Sequence, residues 1–191
     1  NLFQIDNINI TGIPLDNIEG LNDELYKTIE KNIFFLKKEV LKKSISEFNI
    51  VEKYSVKKIY PRELNINIKP TKFIAKISNK DDVLVGSNGK LISNKDFKKK
   101  LPSIFGKFNS NKFLELKVHL ERSGFNFEDL KSLIYFSSGR WDILTNDNVL
   151  IKLPNKKIYE SLYLAKKILN DDNFKMNKFI DLRISNQIIV K

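Results

Sequence analysis

The sequence predicts an α+β protein in two units: a two-helix, three-stranded unit over residues 1–73, then a mixed β unit of short strands with flanking helices over 74–191. Three observations carry this reading. Leu21, Leu25 and Ile29 recur at spacing four, and Leu41, Ile45 and Phe48 at i, i+4 and i+7, so two amphipathic helices lie early in the chain. Leu64, Ile66 and Ile68 alternate with Asn65, Asn67 and Lys69, the period of a half-buried strand. Beyond Ala75 the apolar runs shorten and turn residues punctuate them.

Taken in order, Phe3 to Ile10 reads as the opening strand, and Thr11-Gly12-Ile13-Pro14 ends it before the first helix. The second helix is followed by a strand over residues 51–60, a turn at Tyr60-Pro61-Arg62-Glu63, and the alternating strand. Pro70 and the change of texture place the boundary between units in residues 70–78. In the second unit, Val83-Leu84-Val85 and Leu91-Ile92 flank Ser87-Asn88-Gly89-Lys90, which reads as a type I′ hairpin with positive φ at both Asn88 and Gly89. Residues 112–122 form a helix with Phe113, Leu116 and Leu120 inward, ending before Gly124. Strands over 130–137, 140–145 and 149–153 follow, then a helix over 156–170 burying Ile158, Leu162, Ala165 and Leu169. Two last strands cover 179–184 and 187–190; on the first, Asp181 and Arg183 share a charged side while Leu182 and Ile184 share an apolar one.

Composition narrows the function. With 41% hydrophobic residues, 14 Phe and 6 Tyr over 191 residues, the chain has enough apolar surface to offset its conformational entropy. Zero cysteines exclude disulfides, thiolate catalysis and cysteine zinc sites, and one histidine argues against a transition-metal cage. The longest apolar runs are a few residues, so no spanning helix or secretory signal is legible. The chain opens on Asn1 directly before a strand, and it reads as a trimmed segment from which an N-terminal anchor or tail has been removed. The formal charge is +11, but only four basic residues are arginines, and the one dense run is Lys98-Lys99-Lys100 beside Phe97 and Leu101. Base readers favour arginine forks interleaved with exposed aromatics, so nucleic acid is not the expected partner. Residues 76–191 hold 22 Lys and Arg against 13 Asp and Glu, an excess that suits an acidic partner.

No catalytic constellation emerges. His119 shares helical phase with Lys112, Glu115 and Arg122, on the polar face of its helix. Ser-x-x-Lys occurs at Ser55 to Lys58 and Ser87 to Lys90, but this serine- and lysine-rich composition makes chance matches expected, and neither opens a helix. Asp81-Asp82 and Asp171-Asp172 lack calcium-loop spacing and read as turn or cap residues. Seven glycines form no phosphate cradle. A binding module without cofactor or metal is the reading, and Trp141 is expected to be a core anchor.

Several stretches in this order resemble the extracytoplasmic region of the bacterial cell-division family FtsQ/DivIB. Ile8-Asn9-Ile10-Thr11-Gly12 is similar to the family's opening I-x-V-x-G strand, and Asn32-Ile33-Phe34 to its N-I-F. Val51 to Ile66 resembles V-x-x-A-x-V-x-R-x-W-P-x-T-L-x-I, with Tyr60 where the family has Trp. Leu101-Pro102-Ser103-Ile104-Phe105-Gly106, Gly139-Arg140-Trp141-Asp142-Ile143 and Ile180-Asp181-Leu182-Arg183 complete the set. The family's Glu-Arg before Pro-x-Ala is absent, Pro70-Thr71 standing before Phe73-Ile74-Ala75.

The resemblance implies a single-pass inner-membrane protein, periplasmic in this region and enriched at the septum. It implies a polypeptide-transport-associated (POTRA) domain followed by a β-domain, with no catalysis. Its partners would be FtsB and FtsL, with other divisome proteins reached through the POTRA domain, and its role a scaffold influencing septal peptidoglycan synthesis. A POTRA module of an outer-membrane assembly or secretion machine is the alternative, which expects further POTRA repeats or a β-barrel pattern after residue 75; the sequence shows neither. The expected partner site comprises Arg183, Ile184, Ser185, Asn186, Gln187, Ile188, Ile189 and Val190, with Arg140 beside it. The last strand would form a sheet edge that accepts a strand from FtsB, and Arg183 would pair with a partner carboxylate. On that reading Arg183→Glu spares the fold, and Ile189→Pro weakens binding where the Ile189 N–H faces the partner, by removing a donor from the added ladder.

Overall fold

The computed structural model describes residues 3–13, 15–28, 32–184 and 187–191. The chain divides into two compact units, Asn1–Lys72 and Phe73–Lys191.

The first unit runs β1 (Asn7–Thr11), α1 (Leu15–Thr28), α2 (Lys38–Ser46), β2 (Val51–Ile59) and β3 (Glu63–Pro70). Its sheet has the order β1-β3-β2, with β1 parallel and β2 antiparallel to the central β3. The alternation dictates which side is buried: Ile8 and Ile10 of β1 stand in register with Leu64 and Ile66 of β3, and all four are buried. Leu21 and Leu25 of α1 and Leu41 and Ile45 of α2 join the same cluster, while Ile29 lies outside the described residues. Gly12 has φ +94°, and a Cβ there would stand 2.0 Å from the Ile68 carbonyl oxygen, so the opening strand can end against β3 only with glycine. Lys58 donates from Nζ to the carbonyls of Ile33 and Leu36 at 2.7 and 3.3 Å, tying the segment after α1 to β2.

This burial sets an expected result. Leu41→Ala or Ile66→Ala should destabilise the first unit by about 2–5 kcal/mol through lost transfer energy and a residual cavity. Exposed Lys42→Ala should stay within about 0.5 kcal/mol in the same denaturant melts; the reverse ranking would contradict the helix phase.

The second unit contains β4 (Phe73–Ile77), β5 (Lys80–Gly86), β6 (Leu91–Ser93), β7 (Ser103–Phe105), α3 (Ser110–Arg122), β8 (Leu130–Tyr135), β9 (Trp141–Thr145), β10 (Leu150–Lys152), α4 (Ile158–Leu169), β11 (Phe179–Asp181) and β12 (Ile189–Val190). Among the described residues these strands form one mixed sheet, in the order β12-β11-β10-β9-β8-β7-β4-β5-β6. Phe113, Leu116 and Leu120 of α3 and Leu162, Ala165 and Ile168 of α4 pack with Trp141, Ile143, Ile151 and Ile180 in a single core. Asn109 caps α3, its side chain accepting from the Lys112 N–H at 2.9 Å.

Several sequence expectations are corrected here. β4 and β7 are additional strands, joined in parallel to each other and, for β7, to β8. The turn after β5 has positive φ at Gly89 (+76°) but not at Asn88. Gly89 donates to the Gly86 carbonyl at 2.9 Å and Gly86 to the Lys90 carbonyl at 2.9 Å, so a longer turn with one left-handed residue replaces the type I′ hairpin. On α4 it is Ile168 that is buried, with Leu169 at the margin of the core. β11 stops at Asp181, so the alternation expected through Ile184 fails: Asp181 is buried and Ile184 is 56% exposed. His119 is half-buried, and its Nδ1 is enclosed without a hydrogen-bond partner, so it is not on a fully solvated face.

Candidate partner-binding edge

Among the described residues β12 is the terminal strand of the large sheet and pairs on one side, with β11. Lys191 and Phe179 exchange backbone hydrogen bonds at 3.0 Å in both directions, which fixes the phase of this antiparallel ladder. Two residues on, Ile189 faces Asp181, so the Ile189 N–H and C=O point inward to β11. Val190, between them, turns its N–H and C=O outward to the sheet edge. The condition set for Ile189→Pro is therefore not met: that donor belongs to the internal ladder, and the outward one is Val190.

The side chains follow the same alternation. Val190 packs at the margin of the core, whereas Ile189 on the opposite side is 40% exposed. Ile188 is 47% exposed, and with Ile184 it lines a groove of about 440 Å³ bounded across by Leu164 and Lys157 of the α4 region. The Gln187 N–H donates to the Ile184 carbonyl at 3.2 Å ahead of β12. Ser185 and Asn186 lie outside the described residues.

Arg183 is already engaged within the chain. Its Nε donates to both Asp181 oxygens at 2.9 and 3.0 Å, and its Nη2 to Oδ2 at 2.6 Å. Asp181 is only 6% exposed, so Arg183→Glu would set two carboxylates side by side with one of them buried. The expectation that this reversal spares the fold is therefore corrected. Arg183 can still meet a partner carboxylate, as a shared cation rather than a free one.

Arg140 reaches the same place from β9's entrance. It stacks over the Phe136 ring at 4.0 Å, touches buried Asp142 at 3.4 Å, and lines a shallow pocket of about 390 Å³ with Arg183, Pro154, Asn155 and Lys156. Sequence reasoning missed Lys156, Lys157 and Leu164, because their part in this surface comes from α4 folding back beside the chain that leaves β11. It also missed a cross-strand row: Asp142, Lys152 and Asp181 occupy neighbouring register positions on β9, β10 and β11. No short motif announces such a row, since its members are brought together by pairing.

The two aspartates titrate in opposite directions. Hydrogen bonds from Arg183 hold the Asp181 carboxyl below its ordinary value, against the effect of burial. Burial pushes the Asp142 carboxyl up, with Arg140 as the main opposing charge. Stability from Asp181 is thus present above the ordinary carboxylate range, near pH 4, and is lost as pH falls through its lowered value. Asp142 has the opposite sign, since the folded state takes up its proton first and gains stability as pH falls toward the ordinary value. Asp181→Asn is expected to flatten the acid limb of the stability curve and Asp142→Asn to steepen it; acid titrations moving both variants in the same direction would contradict the assignment.

An open-edged sheet with a cationic, partly apolar rim defines a protein-interaction module more readily than a catalytic centre. The family model for the C-terminal region of cell division protein FtsQ/DivIB matches residues 74–183, more than half of the chain. The chain belongs to the FtsQ/DivIB family of cell-division proteins, a non-catalytic scaffold family of division-site membrane proteins with divisome partners. The matched stretch ends at Arg183, so β12 and the first unit lie outside it. No curated protein matches this chain. Among the described residues no helix is long and apolar enough to cross a membrane.

Proposed function

We propose that this chain is the periplasmic region of a single-pass inner-membrane division protein that binds FtsB and FtsL and helps control septal peptidoglycan synthesis. Contact with FtsB is by strand addition to β12. The observation that carries the reading is the outward backbone of Val190 on a strand paired, among the described residues, only with β11, with Arg183 and Ile188 lining the groove at the start of that strand. An extended segment gains main-chain hydrogen bonds there, exposed Ile188 and Ile189 supply apolar contact, and the two arginines with Lys156 favour acidic side chains. The positive excess of the second unit raises the encounter rate at low salt. The first unit serves as a POTRA domain, which its two helices and β1-β3-β2 sheet support, and offers a surface to other divisome proteins.

Size-exclusion chromatography with the purified periplasmic parts of FtsB and FtsL tests this reading. Co-elution that weakens as salt is raised is expected, and separate elution at low salt would overturn it.

A further inference from the structure

A second charged surface lies toward the other end of the large sheet, against β4 and β5 and the segment that follows β6. Lys76, Lys95, Lys98, Lys99 and Lys100, with Asp82 the one acid among the described lining residues, surround a pocket of about 440 Å³. Elsewhere in this unit Lys112, Lys117 and Lys175 each pair with a carboxylate. Lys95, Lys98, Lys99 and Lys100 are exposed and make no ion pair among the described residues, and with five lysines against Asp82 and the neighbouring Asp96 the local potential is positive. We propose that this lysine pocket binds the phosphate headgroup of an anionic phospholipid at a bilayer surface.

The residue types select the ligand. Ammonium groups are hydrated point charges that converge on phosphate oxygens without a fixed geometry, whereas planar recognition of a carboxylate or base edge calls for the arginine fork absent here. Phe97, the aromatic of the pocket, is half-buried and packed edge-on to Phe73 with centroids 5.2 Å apart. Its ring is spoken for, which disfavours stacking of an unpaired base and hence single-stranded nucleic acid. Leu101 on the wall gives a headgroup's glycerol stem an apolar neighbour. Family membership supplies the source, because the chain works at the membrane of the division site. Clustered lysines near an anionic bilayer act additively, so several together give binding that one would not.

Co-sedimentation of the whole chain with vesicles decides it. Wild type is expected to sediment with vesicles of phosphatidylcholine mixed with phosphatidylglycerol, and not with phosphatidylcholine alone. The triple variant Lys95→Glu, Lys98→Glu, Lys99→Glu should weaken binding by more than about ten-fold. A control of equal net charge, Lys42→Glu, Lys53→Glu, Lys107→Glu, should stay close to wild type, and Lys→Gln at the three pocket positions should fall between. Absence of wild-type binding would overturn the proposal. So would equal losses in the two charge-reversed triples, which would mean adhesion through net charge. Binding of polyglutamate in preference to the vesicles would assign the pocket to an acidic protein instead and would equally overturn it.

Discussion

Trp141→Ala is expected to destabilise the second unit by about 3–5 kcal/mol, the range for a large aromatic deleted from a packed core. Trp141 is 1% exposed at the start of β9, with the Tyr135 ring 4.7 Å away and the Phe108 ring 5.9 Å away. Phe108 also meets Phe113 of α3 at 5.8 Å, so the indole joins the sheet to a helix through one aromatic relay. Truncation loses the buried area and leaves a cavity that neighbours fixed on β8 and α3 cannot collapse into. Trp141→Phe should cost less, because an aromatic plane remains between Tyr135 and Phe108. Because the chain has a single tryptophan, the unfolding must be followed by circular dichroism in denaturant. A loss below about 1 kcal/mol would contradict the placement of this residue at the centre of the core.

Two proline substitutions one residue apart should separate folding from recognition. Val190→Pro removes an outward N–H from an edge strand, a position that tolerates proline, and should leave the second unit folded while weakening an FtsB C-terminal peptide more than about five-fold in calorimetry. Ile189→Pro removes the donor turned toward Asp181 and should detach β12 from β11, lowering stability as well as affinity. If the two variants bind alike with unchanged stability, the phase of the ladder is other than the Lys191–Phe179 exchange dictates.

Much of this architecture was legible in residue spacing. The order strand, helix, helix, strand, strand followed from periods of four and of two, and the buried residues Leu21, Leu25, Ile66 and Ile68 are those the periods select. The parallel strands β4 and β7 were not, because three to five residues packed among other strands carry no alternation and no turn chemistry of their own. The end of β11 was missed for a different reason. Asp181 is polar by type yet buried by its bidentate arginine, and period-two reasoning assigns sides without knowing where a ladder stops. Around the candidate edge, the sequence pointed to Arg183 and the last strand but not to Lys156, Lys157 or Asp142, which reach the same surface only through the pairing of β9, β10 and β11 and the return of α4. The direction of the Val190 backbone was likewise beyond reach, since it depends on a one-residue register.

Backbone amide exchange, residue by residue, tests the strand-addition account most directly. With a saturating FtsB C-terminal peptide, the Val190 amide is expected to change from fast to slow exchange, while the Ile189 amide, already turned toward β11, changes little. Binding of the peptide with the Val190 amide still exchanging freely would contradict addition at β12 and place the contact elsewhere on the protein.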